Sequence, residues 1–212
     1  VNILRKSISD AEFTLALDSI ADNSMYYTGD NREPVPTLKV DLDGDNTKET
    51  TIVAGDVKDY TVAYADQKEL SANGAKITVT GVHNYEGTCE RNYGIIYKPV
   101  DPNSSMVMVN GNNGSAAVAE HAYPKDAASK TWWYNSDVVL TPVTGYSIDD
   151  AKPTSNTPLE ASKTYSNEGL NVLNATKIYL KEAATGFISE MAIGDVINID
   201  KTAPKVTDMN TT

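Results

Sequence analysis

Cysteine, histidine and phenylalanine are scarce in this chain of 212 residues. It contains one cysteine, two histidines and two phenylalanines. The single cysteine, Cys89, excludes an internal disulfide framework and leaves no pair for a Cys-x-x-Cys metal or redox site. Neither His83 nor His121 has a cysteine, histidine or carboxylate at the spacing of metal ligands. Disulfide-stabilised, zinc-binding and dithiol redox proteins are therefore excluded.

Positive charge and long apolar runs are also lacking. Eighteen Lys and Arg stand against 29 Asp and Glu, which gives a net charge of −11. Nucleic-acid binding depends largely on Lys and Arg that neutralise phosphates, so we expect no nucleic-acid partner. No apolar run approaches the roughly 18 residues that a membrane-spanning helix needs, and we expect no membrane insertion.

The remaining composition is that of a folded protein, with 40% hydrophobic and 22% charged residues. Apolar residues alternate with polar ones, which predicts half-buried strands. Turn-forming pairs separate the alternating runs, among them Asn-Gly at 73–74 and Thr-Gly at 144–145. We therefore predict an all-β sandwich or barrel. Only residues 116–121 have a helical composition, and they predict at most a short helix that Pro124 ends. The alternating runs include residues 13–17, 60–64 and 77–79.

Two prolines among polar residues interrupt the strand pattern near the middle of the chain. Pro99 and Pro102 lie between strand-like residues 95–97 and 106–109. Paired prolines without a core face form a short, fairly stiff connector. We predict four segments: a module at 1–97, a linker at 98–104, a second module at 105–204 and the start of a further linker at 205–212.

An ordered series of motifs in the first half resembles a known family. It comprises Tyr-Thr-Gly at 27–29, Asp-Tyr-Thr-Val-Ala-Tyr at 59–64 and Asn-Tyr-Glu-Gly-Thr at 84–88. This series resembles the immunoglobulin-like modules that are repeated in secreted and wall-attached proteins of Gram-positive bacteria. The turn at 65–67 and the strand at 89–93 depart from the family pattern.

The second half looks like another bacterial immunoglobulin-like module. The motifs that carry this likeness are Trp-Tyr-Asn-Ser-Asp-Val at 133–138, Gly-Tyr-Ser-Ile at 145–148 and Ile-Asp-Lys-Thr-Ala-Pro at 199–204. In such proteins the last motif commonly precedes a following module. The sequence begins without a signal region, so we expect a processed or excised piece of a longer protein.

The resemblance implies two consecutive immunoglobulin-like β-sandwich domains joined by a short Pro-containing linker. It implies an extracellular location, either secreted or attached to the bacterial cell wall, and we expect a monomer. Neighbouring immunoglobulin-like modules of the same chain would be its partners. The family implies no catalytic activity and no cofactor.

One acidic loop resembles the beginning of a calcium site. Asp41, Asp43 and Asp45 place carboxylates at alternate positions, as an oxygen-rich calcium loop does. A loop of the EF-hand type would have Gly at Asn46 and a bidentate Glu at Ile52, so the closing ligand is missing. The simpler interpretation is a polar turn between two strands, and Ca2+ is the one metal ion that these residues suggest.

Three consecutive aromatic residues form a candidate ligand-binding segment. Trp132, Trp133 and Tyr134 could hold a sugar ring or a host protein by stacking, or they could fill the second core. Adjacent strand residues face opposite ways, so Trp132 and Trp133 cannot both lie on one sheet face.

Signals for catalysis are weak throughout. The chain has no Gly-x-Ser-x-Gly nucleophile motif and no recognisable catalytic triad. Asp149 and Asp150 form an acidic pair, but such pairs in Pro-flanked loops are ordinary solvated turns. We expect Cys89 to pack in the last strand of the first module. Whether a lysine, an asparagine and an acid meet in a core to form an internal amide crosslink stays open.

These observations favour a non-enzymatic spacer or adhesin segment of a larger bacterial surface protein. The alternative is a module that binds a carbohydrate or a host protein. Such a module could be accessory to a polysaccharide-active enzyme whose chemistry lies elsewhere.

Overall fold

The computed structural model describes residues 4–55, 59–112, 118–124, 131–154 and 158–202. Within these ranges the chain forms seventeen strands and no helix, so the predicted all-β class is confirmed. The described residues accordingly include no long apolar helix of the kind that crosses a membrane. The linker predicted at 205–212 lies outside the described residues.

The chain divides into two compact units, Val1–Tyr97 and Lys98–Thr212. The strands of the first unit are β1 (Lys6–Ser7), β2 (Glu12–Leu15), β3 (Ser24–Tyr26), β4 (Pro36–Val40), β5 (Thr50–Ile52), β6 (Tyr60–Ala65), β7 (Ser71–Gly81), β8 (Tyr85–Glu86) and β9 (Thr88–Ile96). The strands of the second unit are β10 (Ser105–Asn112), β11 (Val118–Pro124), β12 (Thr131–Tyr134), β13 (Val138–Pro142), β14 (Tyr146–Asp149), β15 (Lys163–Tyr165), β16 (Gly169–Glu182) and β17 (Ile188–Ile199).

Two sheets and a short strand pair build the first unit. Strands β2, β4 and β5 form an antiparallel sheet, and the second sheet has the order β3-β9-β7-β6. Strand β3 runs parallel to β9, and β1 runs parallel to β8. Burial alternates along the strands, as it does when one face of a sheet covers a core. Buried side chains include Leu38 and Val40 of β4 and Ile77 and Val79 of β7.

Tyrosine hydroxyls connect the larger sheet of the first unit to residues 32–36, the segment that leads into β4. Two of the three acceptors are proline carbonyls, in residues that have no N–H of their own to donate. Each ring is at least partly buried, and its hydroxyl reaches a backbone acceptor that would otherwise lose a partner. The hydroxyls of Tyr60, Tyr64 and Tyr93 donate to the carbonyl oxygens of Pro36, Pro34 and Arg32, at 3.3, 3.0 and 2.6 Å respectively.

Two four-stranded sheets pack face to face in the second unit. Their strand orders are β11-β10-β13-β15 and β12-β17-β16-β14, and only β12 and β17 pair in parallel. Both sheets contribute to one cluster of fully buried side chains, which includes Val109, Leu140, Ile178 and Ile197. Burying one such side chain contributes about 1.5–3 kcal/mol, so this two-layer core is the main source of stability for the unit.

The predicted linker begins with a residue that is bonded into the second unit. The backbone N–H of Lys98 donates to the carbonyl oxygen of Ile188 at 2.9 Å. Its ammonium group lies 2.8 Å from a carboxylate oxygen of Glu182. Farther along, the N–H of Ser104 donates to the carbonyl oxygen of Asp101 and forms a turn.

Two local predictions are wrong. Residues 118–121 of the predicted helix lie in β11, which pairs antiparallel with β10. Pairing with a neighbouring strand overrides a weak local preference for helix. The Asn-Gly pair at 73–74 lies within β7 instead of forming a turn. The register against β9 shifts between Ser71 and Ala75, which marks a bulge where glycine is well tolerated.

Replacing two buried tyrosines by phenylalanine should have different effects on stability. Tyr93 is 0% exposed and donates to Arg32, so Tyr93→Phe should cost about 1–2 kcal/mol. Tyr134 is 1% exposed, and its hydroxyl has no partner among the described residues. Tyr134→Phe should therefore change the free energy of unfolding by less than about 0.5 kcal/mol or increase it. Urea unfolding of both variants measures this, and equal losses would contradict it.

The same two tyrosines should make the free energy of unfolding depend on pH in the alkaline range. Burial raises the pKa of Tyr93 and of Tyr134 from 10.0 to about 12. Because the folded pKa is the higher one, the stabilisation is complete below pH 10 and is lost as the pH rises through 12. Each Phe variant should lose less stability between these pH values than the wild type does. Parallel curves of unfolding free energy against pH would contradict this.

Candidate functional site

The loop between β4 and β5 carries the acidic residues that the sequence singled out. The two strands form a hairpin in which Val40 lies opposite Thr50, so residues 41–49 are the connection. Carboxylate oxygens from four of these residues all lie within 4.8 Å of one another. The four residues are Asp41, Asp43, Asp45 and Glu49.

The carboxylate of Asp41 closes this loop by accepting hydrogen bonds from backbone N–H groups of the loop. Its two oxygens accept the backbone N–H of Gly44 at 2.6 Å and that of Asn46 at 2.9 Å. Gly44 and Asn46 have φ angles of +86° and +71°, which Gly and Asn tolerate best. The Gly44 N–H is the main cause of a lowered pKa at Asp41, and together with the Asn46 N–H it outweighs desolvation.

Glu49 is the member of this cluster that sequence reasoning missed. The comparison with an EF-hand looked for the closing carboxylate at Ile52, which is 3% exposed and belongs to the core. Counted from Asp41 as position 1, Glu49 stands at position 9, a position that contributes to the ligand set of calcium loops. That spacing is visible in the sequence and could have identified it.

The four carboxylates could hold a divalent cation, because hard cations such as Ca2+ take oxygen ligands. Hydrogen bonds within the loop also account for a polar turn: Asp43 accepts the N–H of Asp45, and Asp45 accepts that of Thr47. An acidic cluster is not by itself evidence of a metal. Asp41, Asp43 and Asp45 are thus brought together as the sequence suggested, and their role stays a prediction.

The aromatic segment of β12 is divided between two faces. Trp132 is half-buried and donates its indole N–H to a carboxylate oxygen of Asp195 at 2.6 Å. Tyr134 is buried in the second core. Trp133 points to the opposite side and is 52% exposed. Of the three residues predicted to bind a ligand, only Trp133 presents a large aromatic surface to solvent.

The pair Asp149 and Asp150 is ion-paired in a half-buried site. The ammonium group of Lys163 lies 3.3 Å from Asp149 and 3.0 Å from Asp150, and the Tyr165 hydroxyl donates to Asp150 at 2.9 Å. Burial raises the pKa of Asp150, but the hydrogen bonds from Lys163 and Tyr165 outweigh it and lower the pKa overall. Because the general acid of a glycosidase needs a raised pKa, Asp150 does not suit that role.

Among the described residues, neither Cys89 nor His83 belongs to a cluster of metal-ligating side chains. Cys89 lies in β9, the last strand of the first unit, and burial raises the pKa of its thiol. A raised pKa keeps the thiol protonated and unreactive. His83 is exposed in the turn before β8, and His121 lies in β11 of the other unit.

Comparison of the chain with models of known protein families, with curated proteins and with solved structures finds no match. The geometry of the chain and its motif series are therefore the only indications of its function.

Asp41 should titrate below the ordinary range for an aspartate. Its lowered folded pKa means that its stabilisation is present above the unfolded pKa and is lost as the pH falls through the folded value. The 13C shift of the Asp41 carboxyl group should therefore change at lower pH than that of a model peptide. In Asp41→Asn, unfolding free energy should depend less steeply on pH in the acid range. A normal carboxyl titration would contradict the hydrogen-bonded loop.

A calcium titration tests whether the loop binds a cation. If the loop binds Ca2+, the melting temperature should be higher in millimolar Ca2+ than in chelator, because an ion that binds only the folded chain stabilises it. Asp43→Ala or Glu49→Ala should then abolish the difference, and Glu86→Gln in the same unit serves as the control. No rise at millimolar Ca2+ would identify the loop as a turn that its own hydrogen bonds close.

Proposed function

We propose that this chain is a non-enzymatic extracellular spacer or adhesin segment of a larger bacterial surface protein, built from two immunoglobulin-like sandwich modules. The motif series at 27–88 and 133–204 supports the family and the location. The observation that carries the spacer function is the path of the chain: each unit is entered beside the start of its last strand and left at the end of that strand.

The first unit separates its two ends by the length of β9. The N–H of Lys6 donates to the carbonyl oxygen of Asn84 at 2.9 Å, a few residues before β9 begins. The chain leaves at Tyr97, directly after β9 ends. Because β9 has 9 residues, the entry and exit lie about 30 Å apart along the strand.

The second unit follows the same plan with a longer strand. Lys98 enters beside Ile188, the first residue of β17, and Asp200 follows its last residue, Ile199. With 12 residues, β17 separates the two ends by about 40 Å. Each unit therefore adds length between whatever is attached to its two ends, as a spacer requires.

Tension between the two ends would act along these strands. Hydrogen bonds of a sheet lie across the strand direction, so such a force shears several bonds together instead of opening them one by one. In the first unit, β9 is bonded to β3 on one side and β7 on the other. In the second, β17 lies between β12 and β16. Bonding on both sides suits the last strand of each unit to bear load.

A second candidate function is binding of a carbohydrate or a host protein through Trp133. The exposed indole favours it, since an aromatic ring that does not serve the core is available for stacking. A panel of immobilised glycans and matrix proteins, probed with wild type and with Trp133→Ala, tests it. Saturable binding that the variant loses while still folding would support an adhesin, and no binding across the panel would leave the spacer alone.

Single-molecule pulling from the two ends of the chain tests the spacer. We expect two separate unfolding steps, each lengthening the chain by about 300–350 Å, from about 3.6 Å per released residue less the folded span. Lys6→Pro removes the N–H that donates to Asn84 and should lower the unfolding force of the first unit only. Ser7→Pro is the matched control, because Lys6 and Ile8 donate to residues 84 and 86 and the N–H of the residue between them points away from β8. Unfolding at negligible force in both steps would overturn the load-bearing role.

A further inference from the structure

An open cleft of about 380 Å³ lies beside Trp133 at the end of β17. It is lined by Trp133, Glu168, Gly169, Leu170, Ile199 and Asp200, and we refer to it as the Trp133 cleft. Strand pairing brings these residues together, because Trp133 lies opposite Asn198 and Gly169 lies opposite Ile199. Three strands, β12, β16 and β17, thus contribute to one site.

A buried asparagine fixes the two walls of the cleft relative to each other. Asn198 is 3% exposed, and its side chain accepts the N–H of Asn171 at 2.8 Å and donates to the carbonyl oxygen of Trp132 at 3.3 Å. It therefore ties the strand that carries Trp133 to the start of β16. Asn171 has a φ of +55°, and the register of β16 is irregular there, which leaves Leu170 68% exposed. The apolar walls are held in place before any ligand arrives.

Two carboxylates form the polar rim of the cleft and carry uncompensated charge. Glu168 accepts the N–H of Lys201 at 2.7 Å and the hydroxyl of Thr202 at 3.0 Å, and Asp200 accepts the N–H of Thr202 at 3.0 Å. These neutral donors orient the carboxylates without neutralising them. The ammonium group of Lys201 pairs with Asp137 at 2.5 Å instead. Among the described residues, neither Glu168 nor Asp200 has an ion-pair partner.

We propose that the Trp133 cleft binds an arginine side chain from a basic segment of a partner protein. A guanidinium group is planar, stacks on an indole ring and donates in pairs to carboxylates, so Trp133, Glu168 and Asp200 match its chemistry. The aliphatic part of the side chain would lie against Leu170. A net charge of −11 attracts basic partners over longer distances. A neutral sugar could stack on Trp133 and donate hydroxyls to the carboxylates, but only a cation would also gain the Coulombic attraction of two negative charges.

This proposal does not depend on the spacer function, and it deepens the second candidate function, because it names the chemistry of a protein partner that Trp133 would bind. The test uses the whole chain and a capped Gly-Gly-Arg-Gly-Gly peptide, with citrulline in place of arginine as the uncharged control. The two indole N–H resonances report the site in 15N NMR spectra. Trp133 should shift saturably with the arginine peptide, whereas Trp132, whose indole donates to Asp195, should shift little.

Variants separate the contributions of the ring and of the charges. Trp133→Ala should abolish binding, and Glu168→Gln or Asp200→Asn should each weaken it at least fivefold, with the remaining resonances unchanged as evidence of folding. Glu86→Gln, an exposed acid of the first unit, is the charge-matched control. Added salt should weaken binding, since part of the attraction is Coulombic.

Three results would overturn the proposal. One is equal affinity for the arginine and citrulline peptides, which would show that the carboxylates do not recognise charge. Another is a Trp133 resonance that responds to neutral oligosaccharides such as chitotriose and not to the arginine peptide, which would identify a sugar site. The third is the absence of any Trp133 shift at millimolar peptide.

Discussion

The last strand of each unit is the element on which the remaining structure depends. Strand β9 is bonded on both sides, to β3 in parallel and to β7 antiparallel, and β17 is bonded in the same way to β12 and β16. Both strands supply fully buried side chains such as Tyr93, Ile95, Ile193 and Ile197. The chain also enters each unit beside the start of this strand. The same strand therefore supplies core side chains, pairs with two neighbours and spans the distance between the two ends of the unit.

The abundance of tyrosine over phenylalanine has a structural reason in the first unit. The chain has 12 tyrosines and only 2 phenylalanines. Three carbonyl oxygens of residues 32–36 accept hydrogen bonds from tyrosine hydroxyls of the larger sheet. A phenylalanine in place of one of these tyrosines would bury its ring but leave a carbonyl without its donor. Tyr64 and Tyr93 bury much of their rings and still reach this segment with the hydroxyl. Each of these tyrosines thus packs its ring in the unit and donates a hydrogen bond to a backbone carbonyl.

The strand content could be predicted from the sequence, because alternation with period two depends only on which face of a sheet is buried. The runs at 60–64 and 77–79 lie in β6 and β7 as expected. The bulge at 71–75 and the strand at 118–124 could not, since both depend on a neighbouring strand that is distant in sequence. For the same reason Glu168, Leu170 and Asp200 were not predicted beside Trp133. Glu49 differs: its spacing was visible at position 9 of the same calcium-loop pattern, but only position 12 was considered.

An asparagine with a positive φ lies at each of the two candidate sites. A regular β16 would pair evenly along β17, and Leu170 would have no reason to stand out beside Trp133. Asn171 can adopt its positive φ at little cost, and Asn198 satisfies the N–H that this conformation frees. The acidic loop uses the same chemistry, where Asn46 adopts a positive φ and its N–H is satisfied by Asp41. In both places a side chain replaces a lost backbone partner and thereby fixes the residues of the candidate site.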